Sequence, residues 1–394
     1  MVSGRVSWGR LSLVGALLVA VSLVPGAAAS AVSPRAERVA VHHGSWVNAG
    51  PMSSAHESAA AVRLPSGRVL VISGSASYDC CCLRRVDRYD PATNAWVRRT
   101  PMPRRRCSPV VRLAGGRVLV AGGSGWDPKT LNTPAVRSAE IYDPGTNRWT
   151  YTTPMHHRGA GAGVLLKSGQ VLMTGGWTSR TGAWAEIYHP RTRIWHVTGA
   201  PASQDSVLVR LRGGDVLAIG SWDAHPTRCV ERYRTRRHVW TPAGRYPWHC
   251  PGSSPSMLMR NGHVMVVDGR RVHVYNPATN HWQSLPNLPL PPRPSGPPWS
   301  WPQAIVVVHG QPMVIASGAG CSPSQARTVG SLWRPRRHAW QRWTTLPDGA
   351  DGIAVATLRD GSILLAGGVR WYRSCPIGGD HIPSRLAYRY YPDR

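Results

Sequence analysis

Phenylalanine is absent from this 394-residue chain, and lysine nearly so: of 47 basic residues only Lys129 and Lys167 are lysines. Acidic residues number 19, which leaves a formal net charge of +28 and excludes an acidic tail protein. Charged residues are only 17% of the chain, too few for a coiled coil, while 42% hydrophobic content excludes a disordered one. Beyond the first thirty positions no apolar run is long enough for a membrane span, so a polytopic membrane protein is excluded as well. What is abundant is Gly (41), Pro (35) and Trp (18). Gly and Pro break helices, so the regular structure is expected to be β.

The first thirty residues carry their own signal. Arg5 and Arg10 precede an apolar run from Leu11 to Val24, followed by Pro25, Gly26 and the small residues Ala27 to Ala31. A charged segment, a short apolar segment and small residues are the pattern of a secretory signal peptide. Residues 1–31 are expected to be that peptide, cleaved after Ala29 or Ala31. A short segment, 32–43, would lead into the fold at 44–394, and the mature chain would be extracellular. Export makes disulfides the default reading of the eight cysteines, since zinc ribbons would need repeated CxxC pairs.

A repeat organises the remainder. Tyr89-Asp90-Pro91-Ala92-Thr93-Asn94-Ala95-Trp96 recurs from Tyr142 to Trp149 and from Tyr275 to Trp282. Looser copies run Tyr188 to Trp195, Tyr233 to Trp240 and Trp333 to Trp340. An apolar run closed by small residues stands about twenty residues before each, at 69–74, 118–123, 171–176, 216–220, 264–269 and 313–318, with a seventh at 363–368. The seventh Tyr-to-Trp unit begins at Tyr390 and runs out of chain, whereas Trp46 stands near the start without a Tyr before it. A closed ring, with an N-terminal strand completing the last unit, accounts for both ends. Units of about 50 residues match kelch blades.

On these residues the chain resembles a kelch-repeat β-propeller of the superfamily that includes galactose oxidase, in a secreted bacterial form. The resemblance implies an all-β, seven-bladed fold with strands A to D running outward from the axis, and a structural role for the repeat Tyr and Trp. The A–B and C–D turns are short and share one face, whereas B–C and D–A connections share the other, where function tends to reside. All eight cysteines map to that long-loop face. One of Cys80, Cys81 and Cys82 is expected to pair with Cys107, with Cys82 the candidate, and Cys229 with Cys250. Cys321 and Cys375 sit in corresponding loops of neighbouring blades and are a further candidate pair.

The same face gathers the ligand candidates. Trp126, Trp177, Trp222 and Trp371 follow the Gly-rich ends of B strands, Trp184 opens a C strand, and Trp248, Trp299 and Trp301 lie in D–A connections. His56, His157, Arg158 and His249 are expected beside them. Indole faces next to His and Arg suit sugar rings or a cationic ligand. The copper-radical enzymes of the superfamily join a Cys in a Cys-Pro-Gly context to a Tyr on the next blade. Cys250-Pro251-Gly252 resembles the first element, but Trp299-Ser300-Trp301 stands where the Tyr should be. No metal site is therefore assigned and no cofactor is expected, with copper or zinc at the imidazoles left open; no catalytic residue is assigned. Glu140, Glu186 and Glu231 recur two positions before the repeat Tyr and read as structural.

The arginines spread over every blade and form no recognisable nucleic-acid module, so nucleic acid is not the expected partner despite the charge. A glycan, an anionic envelope polymer or another protein is. The chain reads as a secreted monomeric binding module, with a metal-dependent oxidoreductase or carbohydrate-active enzyme as the alternative and a protein-interaction scaffold as the third reading.

Overall fold

The computed structural model describes residues 44–77, 80–125, 134–159, 161–175, 182–202, 206–220, 229–252, 254–290, 300–318, 327–346, 352–371 and 381–393. These build seven four-stranded antiparallel sheets. Six are consecutive in the chain. Blade one, for example, is Ala60–Arg63, Val69–Ile72, Val86–Asp90 and Ala95–Arg98. The seventh takes its first three strands, Ala354–Thr357, Ile363–Ala366 and Ala387–Tyr391, from the C-terminal end. Its outermost strand, Ser45–Asn48, comes from the N-terminal end. The sheets form a seven-bladed β-propeller closed as the complementary chain ends require.

The repeat sequence explains the blade. Each B strand is a buried apolar run, such as Val69–Ile72 and Val118–Ala121. The Tyr of strand C and the Trp of strand D face each other in register. Tyr142 pairs with Trp149 and Tyr275 with Trp282, and the last blade pairs Tyr390 with Trp46 across the chain ends. In that closing pair the ring centroids are 4.8 Å apart, against 4.9 Å for Tyr142 and Trp149 within one hairpin. Such pairs add about 0.5–1.5 kcal/mol beyond their burial.

The indole N–H then bonds to the preceding blade. Trp96 donates to the Ala49 carbonyl, Trp149 to Thr100, Trp195 to Thr153 and Trp240 to Gly199, while Trp46 donates to the Thr344 hydroxyl. In these five blades the motif Trp is thus a rivet to its neighbour, whereas the buried indole N–H of Trp282 in blade five has no such partner.

The turn residues have an equally local reason. Asn94, Asn147 and Asn280 adopt positive φ (53°, 58° and 59°), where Asn is tolerated better than most residues. Each accepts a bond from the hydroxyl of its repeat Tyr, at 2.6, 2.7 and 2.5 Å. One glycine is needed for space: a Cβ at Gly175 would stand 2.5 Å from the Trp184 indole nitrogen. Hydrophobic packing runs between successive sheets, as where Leu119 and Ile141 of blade two meet Val171 and Met173 of blade three.

Candidate functional site

On the long-loop face each blade is reached by a D–A link, and four links are held by an acid on strand C, two residues before the repeat Tyr. In blade two Arg106 is fully buried. It donates to Glu140 Oε1 at 2.8 Å and to the Ser138 carbonyl and hydroxyl at 2.6 Å each. In blade three Glu186 accepts from the backbone N–H groups of His156 and His157, at 3.0 and 2.8 Å, and lies within 3.1 Å of both rings. In blade four Glu231 accepts from the Ala202 N–H. In blade one the position is Asp87, which accepts from Ser53, Ser54 and His56. Burial pushes the Asp87 carboxyl up, but the bonds from His56, Ser53 and Ser54 outweigh it and hold it below the ordinary value.

Ser54, His56 and Asp87 raise the question of a nucleophilic triad, and the geometry answers it. In a working triad the two imidazole nitrogens serve different partners, one the acid and one the nucleophile. Here Nε2 faces both Asp87 (2.9 Å) and Ser54 (3.4 Å), while Nδ1 faces the Ser73 carbonyl at 2.7 Å. The cluster is buried, with His56 only 1% exposed. His56 therefore ties the link into blade one, and its ring has no open face to offer a ligand.

The other ligand candidates divide by place. His157 stacks on Trp184 at 5.2 Å and 9°, and Arg158 is exposed, with Nη1 3.4 Å from the Ala135 carbonyl. Trp126, Trp177, Trp222 and Trp299 lie outside the described residues. Trp301 and Trp371 fall in strands Ser300–Val308 and Val369–Trp371, with side chains outside the description.

Trp248 and His249 are exposed side by side in the link to blade five. Trp248 is 49% exposed, the one tryptophan among the large exposed hydrophobics of the described residues. The Arg271 guanidinium sits over its ring, 4.4 Å from the centroid. Asp268 joins them, its carboxyl pushed up by burial against the pull of Arg271 and His249.

Asp268 and Arg271 are functional candidates that the sequence reading passed over. The signal was in the spacing. In blade five the B–C connection shrinks to a two-residue hairpin, Gly269-Arg270, with Asp268 paired to Arg271. No long loop rises there, and the platform of Trp248, His249, Asp268 and Arg271 stays open. Beneath it Tyr246 is buried edge-on to His273 and Trp282, its hydroxyl pushed up chiefly by burial and then by Asp268.

Two disulfides flank these links: Cys82–Cys107 and Cys229–Cys250, with Cα atoms 5.2 and 5.4 Å apart. Both expected pairings are present; Cys321 and Cys375 lie outside the described residues. The second disulfide bears on copper chemistry. Its sulfur committed to Cys229, Cys250 has none left for a thioether, and no group of three or more His, Cys, Asp or Glu is placed to hold a metal ion among the described residues. Among the described residues the copper-radical donor set does not fit.

Comparison with known proteins agrees with the kelch repeat and stops short of an activity. The Kelch motif model matches residues 58–103 and 105–156. An F-box/kelch-repeat protein of Arabidopsis thaliana is 26% identical over 151 residues, 37% of this chain and 39% of that protein. Kelch-like protein 36 of Bos taurus is 30% identical over 145 residues, 36% of this chain and 23% of its own length. The match thus spans well under half of each relative. Among solved structures, a fungal alcohol oxidase of the AA5 family in complex with copper superposes with a TM-score of 0.63 at 17% identity. That superposition covers 89% of this chain and 77% of the oxidase, and at such identity it speaks for the fold alone.

Proposed function

We propose that this chain, a seven-bladed propeller built of kelch repeats, is an exported binding module. Its ligand is a glycan or cell-envelope polymer, held at the Trp248 platform on the long-loop face. One observation carries the reading: an exposed indole, backed by Arg271 and bordered by His249 and Asp268, over the one blade whose B–C connection is cut to a hairpin. An aromatic face gives a sugar ring an apolar partner, and the flanking carboxyl, guanidinium and imidazole supply hydrogen bonds to its hydroxyls. His157 and Arg158, with the tryptophans at 126, 177, 222, 299, 301 and 371, would extend the surface.

Export belongs to the same reading and is supported by the apolar segment at 11–24 and by the two disulfides. Among the described residues no helix is long and apolar enough to cross a membrane. N-terminal sequencing of the protein recovered outside the cell should start at Ser30 or Val32.

The test is a glycan and envelope-fraction panel read with wild type and Trp248→Ala. Loss of a central aromatic anchor should cost about 2 kcal/mol or more, a fall of roughly thirtyfold in affinity. Full-strength binding by the variant, or no hit for wild type, overturns the reading. The second reading, a protein-interaction scaffold, is favoured by the kelch-like and F-box/kelch relatives. An empty panel beside a protein partner lost on Trp248→Ala would establish it instead.

A further inference from the structure

A cavity of about 750 Å³ opens on the opposite, short-turn face, between blades three and four. Register builds its floor. Ile187 pairs with His196 and His189 with Ile194, so His189 and His196 are diagonal neighbours on adjacent strands, their rings 4.7 Å apart and edge-on. His238 closes the far wall. It occupies the left-handed turn position (φ 57°) where blades one, two and five carry Asn, and its Nδ1 lies 2.9 Å from the Tyr233 hydroxyl. Lys167 enters from the A–B turn of blade three and Arg236 from the C–D turn of blade four.

Among the described residues no carboxylate lines this cavity. Two acids stand beside lining residues in sequence, and both are taken: Asp215, next to Gly214, by Arg232 at 2.9 Å, Arg234 at 3.3 Å and Thr235, and Glu186, next to Ile187, by the backbone N–H groups of His156 and His157. A lysine, an arginine and three imidazoles facing one space, with both neighbouring acids already taken, repel a cation and attract an anion. The charge continues past the rim, because Arg191, Arg193 and Arg237 are exposed on the same two C–D turns. A single ion would leave that flank unused, whereas a chain of charges would run along it.

We propose that this cavity is a second ligand site, distinct from the Trp248 platform, that takes phosphate groups of an anionic polymer and holds them more tightly as pH falls. The pH dependence follows from what surrounds His189. Burial, then the charges on His196 and His238, holds its ring below the ordinary imidazole value. From blade three it faces Lys167, Gln170 and His196, and from blade four Arg236 and His238, with Asp215 held by Arg232 and Arg234. Among the described residues all the uncommitted charge here is positive, so a bound phosphate relieves the repulsion and draws a proton onto His189. By linkage, protonation must tighten phosphate binding in return.

Calorimetric titration of the folded protein with long-chain inorganic polyphosphate and with inorganic phosphate, at pH of about 7.5 and about 5.5, tests this. Polyphosphate should bind about tenfold or more tightly at the lower pH, and free phosphate far more weakly than the chain. K167A/R236A, two exposed turn substitutions, should lose about tenfold and flatten the salt dependence. H189Q/H196Q should lose the pH response and keep the pH 7.5 affinity. R336A/R337A, on the C–D turn of blade six, is the control and should bind as wild type. Equal losses in the control reduce the site to a diffuse arginine coat and overturn the proposal, as do absent or pH-independent polyphosphate binding. Phosphate binding as tightly as the chain overturns the polymer. Should H189Q/H196Q fail to fold, K167A/R236A against R336A/R337A decides the matter.

Discussion

Blades one to four and blade five solve the same local problem with opposite chemistry. In the first four, a carboxylate on strand C (Asp87, Glu140, Glu186 or Glu231) reaches back to fix the link that leads in. Blade five has His273 at that position, bonded to Ser284 and packed edge-on against Tyr246. An acid pins link backbone or side chains by directed hydrogen bonds and draws His56 and Arg106 into the interior. The aromatic contact of blade five holds only Tyr246 and leaves the next residues, Trp248 and His249, at the surface. In blade five the exposure of Trp248 and His249 accompanies the loss of the acid that holds the link in blades one to four.

The largest effect expected from breaking that lock is in blade two. Glu140→Ala leaves the Arg106 guanidinium buried without its counter-charge, which should cost about 3–5 kcal/mol in chemical denaturation. Pairing it with Arg106→Met should recover most of the loss; no recovery would show that the lock acts through something other than charge. Next comes the neighbouring staple. Removing Cys82–Cys107 by a double Ala substitution should cost about 2–4 kcal/mol under oxidising conditions.

Blade one offers a pH test. Because the folded carboxyl of Asp87 titrates below its ordinary value of 3.8, its contribution is fully present above that value and disappears as pH falls through the lower folded one. Asp87→Asn should be less stable at neutral pH, and its acid-unfolding curve should be flatter in that window; an unchanged acid limb refutes the assignment. The smallest stability effect belongs to blade five: Trp248→Ala should stay within about 0.5 kcal/mol of wild type, since the side chain is half exposed, while binding suffers. A large destabilisation there would mean that Trp248 holds the fold.

Much of the propeller was legible because its signals are local. A hairpin fixes the Tyr-to-Trp spacing, Asn marks a left-handed turn residue, and the unmatched Trp46 and Tyr390 announce their own pairing. The two disulfides were legible for the same reason, since the blade repeat placed each cysteine at a known point of a neighbouring link. The site was only partly legible. His56 and Trp248 both sit in D–A links, and sequence position alone ranks them alike. Burial against Asp87 removes one from the surface, and the hairpin at Gly269-Arg270 uncovers the other. Asp268 and Arg271 were missed because each looks like an ordinary strand-end residue until the chain folds beneath Trp248.

By itself, then, the sequence determined the blade count, the ring closure and which links Cys107 and Cys250 would be tied across, because each follows from spacing along the chain and from pairing within one hairpin or between adjacent blades. Only the tertiary structure decided which histidines are buried locks, which indole is open, and that His189, His196 and His238 meet Lys167 and Arg236 in one cavity. Those outcomes depend on side chains from different blades competing for the same space and charge, a quantity that no spacing encodes.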